Sequence, residues 1–233
     1  MRRSAATLLA ALTLAAPAAA DWAPRPATYG VGVTQDVKIT MSDGVALRAD
    51  VLLPTGGPAG ERFPVLVTQT PYNKAAPRLN FRSDYLVQRG YAQVIVDVRG
   101  TGGSEGSWDS FGTREQLDGP ELVEWARTQP WSDGRVGLHG TSYGAINQIL
   151  TAAQKPQGLK AIFPIVPAGD IYRDIAASGG QVNTSFIPVW LGLVTGLGLV
   201  PPTYTPTDPV SAARADRRYH MQDGRMPAQG VAS

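Results

Sequence analysis

What most constrains this chain is a rhythm. Strand-length apolar runs at Phe63 to Thr70, Ala92 to Val98, Arg135 to His139 and Ala161 to Val166 are separated by stretches carrying helix signals. The first two runs are short and almost continuously apolar, the pattern of strands buried on both faces. Phe81 to Arg89 closes on Gly90, and Gln116 to Arg127 sets Leu117, Leu122, Val123 and Trp125 near one helix face. Gly119 and Pro120 place the regular part of that helix from Pro120 onward. Tyr143 to Ala153 follows the third run as a further helix. Strand alternating with helix predicts an α/β domain whose mostly parallel sheet is covered on both faces. Ahead of it, Gln35 to Met41 and Val45 to Leu53 alternate apolar and polar residues around Ser42-Asp43-Gly44, which predicts an antiparallel hairpin at the start of the sheet.

The rhythm has limits at both ends. Arg2 and Arg3, the apolar run Ala5 to Leu14 and the small residues Ala18-Ala19-Ala20 have the order of a signal peptide cleaved before Asp21. Residues 1–20 are therefore read as an export signal and the protein as periplasmic or extracellular. That segment holds two Arg and no acid, so removing it lowers Lys+Arg from 21 to 19, against Asp+Glu 19. A neutral mature chain gives no argument for a nucleic-acid partner or an anionic membrane surface. With Cys 0, disulfides, an N-terminal lipidated Cys and thiolate metal sites are excluded. From about Ile171 the pattern changes: Phe186 to Val200 is an apolar run broken by glycines, too short and interrupted for a membrane span and read as a core or cap helix pair. Pro201 to Pro209 is proline-rich and accommodates no strand.

Between the third run and its helix stands Gly140-Thr141-Ser142-Tyr143-Gly144. A Gly-x-Ser-x-Gly string alone is a weak signal in a glycine-rich chain. Strand, sharp turn and helix around it make it strong, because that geometry pushes a serine Oγ out of the sheet. Side chains at Gly140 and Gly144 would clash with neighbouring elements in so tight a turn. Ser142 is thus the candidate nucleophile. The N–H of Tyr143, at the start of the new helix, is a candidate donor to the negative charge developing on a substrate oxygen.

Further segments, in order, are Asp43-Gly44-Val45-Ala46-Leu47, Thr70-Pro71-Tyr72-Asn73-Lys74, Asp97-Val98-Arg99-Gly100-Thr101-Gly102-Gly103-Ser104-Glu105-Gly106 and Gln129-Pro130-Trp131-Ser132-Asp133-Gly134-Arg135. With the serine motif they resemble the family of cocaine esterase and Xaa-Pro dipeptidyl-peptidases, the CocE/NonD hydrolases. The resemblance implies an α/β-hydrolase fold and hydrolysis of an ester, an amide or a short peptide, and no motif of the sequence implies a metal or organic cofactor. It also implies that the Tyr72 hydroxyl is the second oxyanion donor. Asp97 and Arg99 are expected to be a structural pair fixing the following loop. The blocks distinguish the chain from the prolyl-oligopeptidase type, which shares the Gly-x-Ser-Tyr-Gly turn.

A serine nucleophile needs a base, and on this fold Ser is followed by Asp or Glu and then by His. After Ser142 the sequence offers Asp170, Asp174, Asp208, Asp216 and Asp223, and His220. No strand pattern precedes the last three acids or His220, so none is assigned to a triad, and His139 on the entering strand is read as a packed core residue. The resemblance therefore implies a domain organisation of residues 21–172 as the N-terminal part of the hydrolase domain and 173–233 as the start of a helical cap, truncated relative to the family. The alternative reading is an inactive fragment or binding module that keeps the serine turn without its base.

Overall fold

In the computed structural model, the described residues are 23–76 and 81–199. They form a six-stranded mixed sheet. The strands are β1 (Gly30–Thr40), β2 (Ala46–Thr55), β3 (Phe63–Thr70), β4 (Ala92–Asp97), β5 (Ser132–Thr141) and β6 (Leu159–Ile165), in the order β1-β2-β4-β3-β5-β6. β1 and β2 form the expected antiparallel hairpin, turning at Met41 to Gly44, where Gly44 has a φ of 84°. β2 runs antiparallel to β4, and β4, β3, β5 and β6 are parallel. This is the α/β-hydrolase type of sheet.

The core follows the side-chain parity of the strands. Val65, Val67, Val94, Val96, Val136 and Leu138 point to one face, where Leu122, Val123 and Ala126 of α2 (Thr113–Thr128) close over them. On the opposite face Val87 of α1 (Asp84–Val87) packs with Leu52 and Ile95. Every residue of β4 is buried, Gln93 and Asp97 included, as a strand covered on both faces requires. Residues 1–20, read from the sequence as a signal peptide, lie outside the described residues, as do His220, Asp208, Asp216, Asp223 and the Pro201 to Pro209 stretch.

Two helices depart from expectation. α2 begins at Thr113 and carries Pro120 inside it rather than at its start. Proline there frees the carbonyl of Gln116, four residues back, and the Gln154 side-chain amide donates to that carbonyl at 2.6 Å. Gly119 is needed at the same level: a Cβ on it would stand 2.0 Å from Thr151 Oγ1 of α3 (Tyr143–Ala153). Phe186 to Leu199 forms one continuous helix, α4, instead of a pair. Pro188 falls in its first turn, where no intrahelical N–H is lost. Among the described residues no helix is long and apolar enough to cross a membrane.

The strand order determines where chemistry can sit. The chain moves from β3 to β4 on one side and then crosses back to β5 on the other. The crevice at the carboxyl ends of β3 and β5 is therefore the switch point of the sheet, where ligands bind in open α/β folds. Tyr72 lies just past the end of β3 and Ser142 just past the end of β5.

Candidate active site

Ser142 occupies the turn between β5 and α3 with φ 56° and ψ −117°, a conformation rarely adopted by a non-glycine residue. The flanking glycines permit it. A Cβ on Gly144 would stand 2.8 Å from the backbone oxygen of Gln69 in β3, and one on Gly140 would stand 3.3 Å from the Gly144 carbonyl carbon. The Ser142 N–H donates to Ile165 O of β6 at 2.9 Å, and its carbonyl accepts from Ala145 and Ile146 as the helix begins. The side chain is exposed. Tyr143 is the first residue of α3, so its N–H has no acceptor within the helix.

Tyr72 faces Ser142 across the crevice, its phenol oxygen 3.5 Å from Ser142 Oγ. That separation is too long for a strong hydrogen bond and leaves both groups open to a third atom. Trp190 of α4 donates its Nε1–H to the Tyr72 oxygen at 3.2 Å. The acceptor side of the phenol is thus occupied, and its own proton remains available. Asn73, with a φ of 63°, turns the chain after Tyr72 and donates from Nδ2 to Leu197 O of α4 at 3.2 Å.

A buried charge cluster holds this turn. The Lys74 N–H donates to Asp97 Oδ1 at 2.6 Å, while its Nζ lies 3.4 Å from Asp97, 3.6 Å from Asp50 and 4.0 Å from Asp36. The other Asp97 oxygen accepts from Gly103 N–H at 2.9 Å. Asp97 and Arg99 are therefore not partners. The backbone amides and Lys74 take the carboxylate, and Arg99 turns to Asp118 in a two-point pair at 2.6 and 2.7 Å and to Asp43 at 3.1 Å. Both residues still fix the loop after β4, by separate routes.

Beside Ser142 opens a cavity of about 220 Å³ whose apolar walls include Phe111, Ile146, Ile171, Ile175, Phe186 and Trp190. No charged side chain lines it among the described residues. Tyr143 forms its floor: the ring is stacked on Phe111 at 4.0 Å between centroids and lies at 6.2 Å from Trp190.

No histidine among the described residues hydrogen-bonds to Ser142. His139 is half-buried on β5, its ring parallel to Phe163 at 6.0 Å, and burial lowers its pKa. It is not a core residue, because Phe163 beyond it is 65% exposed. Among the described residues no cluster of acids and histidines is arranged to hold a metal ion. Sequence reasoning did not single out Trp190, Lys74 or Glu115, which pin Tyr72 and Tyr143. Nothing in the apolar run around Trp190 marks it as different from a cap residue.

Residues 43–231 match the model of a family described as X-Pro dipeptidyl-peptidase (S15 family). Cocaine esterase of Rhodococcus sp. (strain MB1 Bresler) is 34% identical over 176 residues, a stretch covering 72% of this chain and 29% of that enzyme. A CocE/NonD family hydrolase from Staphylococcus aureus superimposes with a TM-score of 0.67 at 26% identity over 80% of this chain and 36% of its own. An α-amino acid ester hydrolase does so with a TM-score of 0.53 at 26% identity, over 68% and 30%. The chain thus spans 29 to 36% of the length of these three relatives.

Proposed function

The chain belongs to the S15 family of serine hydrolases, which contains esterases and X-Pro dipeptidyl-peptidases, and on that premise we propose that Ser142 carries out acyl transfer from an ester or amide to water. In this reading a general base, which the described residues do not supply, takes the Ser142 proton and passes it to the leaving group as Ser142 Oγ attacks the substrate carbonyl carbon. The Tyr72 hydroxyl and the Tyr143 N–H donate to the oxygen that becomes negative, collapse expels the leaving group, and water releases the acyl-enzyme. The observation that carries the proposal is the meeting of Tyr72 and Ser142 at 3.5 Å across the switch point, with Trp190 occupying the acceptor side of the phenol.

The cavity favours an uncharged, apolar acyl group. An apolar cavity of about 150 Å³ already accommodates benzene, so about 220 Å³ suits an aromatic or branched aliphatic acyl chain. The ammonium group of a dipeptide would lose its water there and meet no carboxylate among the lining residues, a cost of several kcal/mol. Aryl-acyl esters should therefore outrun Xaa-Pro amides by a wide margin in kcat/KM.

The absence of a base beside Ser142 among the described residues favours a second reading, in which the chain as it stands binds acyl compounds without turning them over. A fluorophosphonate probe separates the two. Stoichiometric labelling that disappears in Ser142→Ala supports an activated nucleophile; an unlabelled wild type supports the binding module. We also propose export through residues 1–20, for which the test is N-terminal sequencing of the secreted protein, with Asp21 as the expected first residue.

A further inference from the structure

Beneath the serine turn lies a buried acid that acyl transfer does not use. Glu115, in the first turn of α2, is 3% exposed, and both its oxygens accept from the Tyr143 phenol, at 2.7 and 2.8 Å. One of them also accepts from Phe111 N–H at 3.2 Å. The Tyr143 oxygen in turn accepts from Trp108 Nε1 at 3.0 Å. One carboxylate thus joins α2, the first turn of α3 and the loop after β4. Phe111 has a φ of 58°, a strained backbone for a bulky residue, at the point where Glu115 holds its N–H.

A buried acid is costly unless it is paired. The charged group acting on Glu115 along its own helix is Asp118, which is itself held by Arg99 and Arg114. From α3 it faces Tyr143, whose ionisation is pushed far up by burial and then by Glu115. Burial raises Glu115 to about 7, opposed by the bonds from Tyr143 and Phe111. A neutral residue would fill the space at lower cost, so the acid calls for a role.

We infer that Glu115 is a positioning residue, which fixes the Tyr143 N–H and the Phe111 wall of the acyl cavity by holding the Tyr143 phenol from below. The inference rests on the reading of Ser142 and Tyr143 given above. Tyr143 is 1% exposed and is anchored at its far end. Its N–H, at the helix start, is held by the backbone bonds of the serine turn on one side and by that anchor on the other.

The test combines a readout of position with one of reactivity, using the full chain as wild type, Glu115→Gln, Glu115→Ala and Tyr143→Phe. NMR with ¹³C-carboxyl glutamate and ¹⁵N tyrosine follows the Glu115 carboxyl and the Tyr143 amide against pH. The wild-type amide is expected to titrate together with the carboxyl. Glu115→Gln should abolish the amide titration, and Tyr143→Phe should move the carboxyl titration higher, because a donor to the ionised form is lost. Glu115→Ala should shift the Tyr143 amide resonance and, with one charge-assisted hydrogen bond lost, loosen the anchor by about tenfold. It should slow fluorophosphonate labelling of Ser142 by a similar factor at saturating probe with half-saturation unchanged, and Glu115→Gln should restore the rate. A Tyr143 amide indifferent both to Glu115 ionisation and to Glu115→Ala overturns the inference. A wild type that does not label overturns the nucleophile assignment instead, and the amide then decides the role of Glu115.

Discussion

Glu115 should make this fold lose stability as pH rises, and the effect is large enough to measure. Burial shifts the carboxyl from the ordinary 4.5 to about 7 in the native state. The folded protein therefore holds this proton more tightly than the unfolded chain. The stabilisation is fully present below 4.5 and is lost as pH rises through about 7. The displacement corresponds to about 3 kcal/mol at 1.36 kcal/mol per tenfold. Glu115 also lies in the first turn of α2, where the helix dipole favours the ionised form by up to about 1 kcal/mol. The net expectation is about 2 kcal/mol between pH 5 and pH 8. Glu115→Gln isolates it, because glutamine keeps the shape and is neutral at both values. Any loss from its imperfect hydrogen bonding is about 1 kcal/mol and does not depend on pH, so it cancels in the comparison. The raised pKa of Asp118 is common to both chains. Urea unfolding at pH 5 and pH 8 should show the variant gaining about 2 kcal/mol on the wild type, or about 4 to 8 °C in Tm for a chain of this size. A difference that stays constant within about 0.5 kcal/mol across that range, against the expected linkage, would refute the reasoning.

Three further perturbations test the site. Tyr72→Phe removes one oxyanion donor and should lower kcat about 10² to 10³-fold with little change in KM; steady-state hydrolysis of an aryl ester measures it, and a loss of only a few-fold would remove Tyr72 from the reaction. Gly144→Ala places a methyl 2.8 Å from the Gln69 carbonyl and should cost about 1 to 3 kcal/mol in chemical denaturation, with fluorophosphonate labelling falling more steeply than stability as the turn opens. Lys74→Met strips the cation from Asp97, Asp50 and Asp36 and should destabilise by about 3 to 5 kcal/mol, read by thermal unfolding. That loss should shrink at low pH as Asp50, whose pKa burial raises, takes up its proton.

The parts of the fold that sequence made legible are those closed by local chemistry. Phe63–Thr70 and Tyr143–Ala153 begin and end where expected, because a buried strand is a run of apolar residues and the helix is opened by the serine turn itself. The switch-point crevice was legible only in outline, since strand order is not written in any one segment. What could not be read are contacts between distant residues. Trp190 reaches Tyr72 from 118 residues away, and Glu115 reaches Tyr143 from 28. Asp97 and Arg99 show why proximity in sequence misleads: a carboxylate at a strand end is claimed first by the backbone amides of the loops beside it, and the arginine must find an acid elsewhere. Pro120 makes the same point for helices, because its cost is met by Gln154, a residue no local rule would consult. The serine turn and the two tyrosines beside it thus belong to different scales of the sequence. The five-residue motif presents Ser142, and the groups that hold Tyr72 and Tyr143 beside it come from α4, α2 and a buried lysine gathered by the fold. Substitutions at Glu115, Lys74 and Trp190 should for that reason disturb the chemistry while leaving the motif intact.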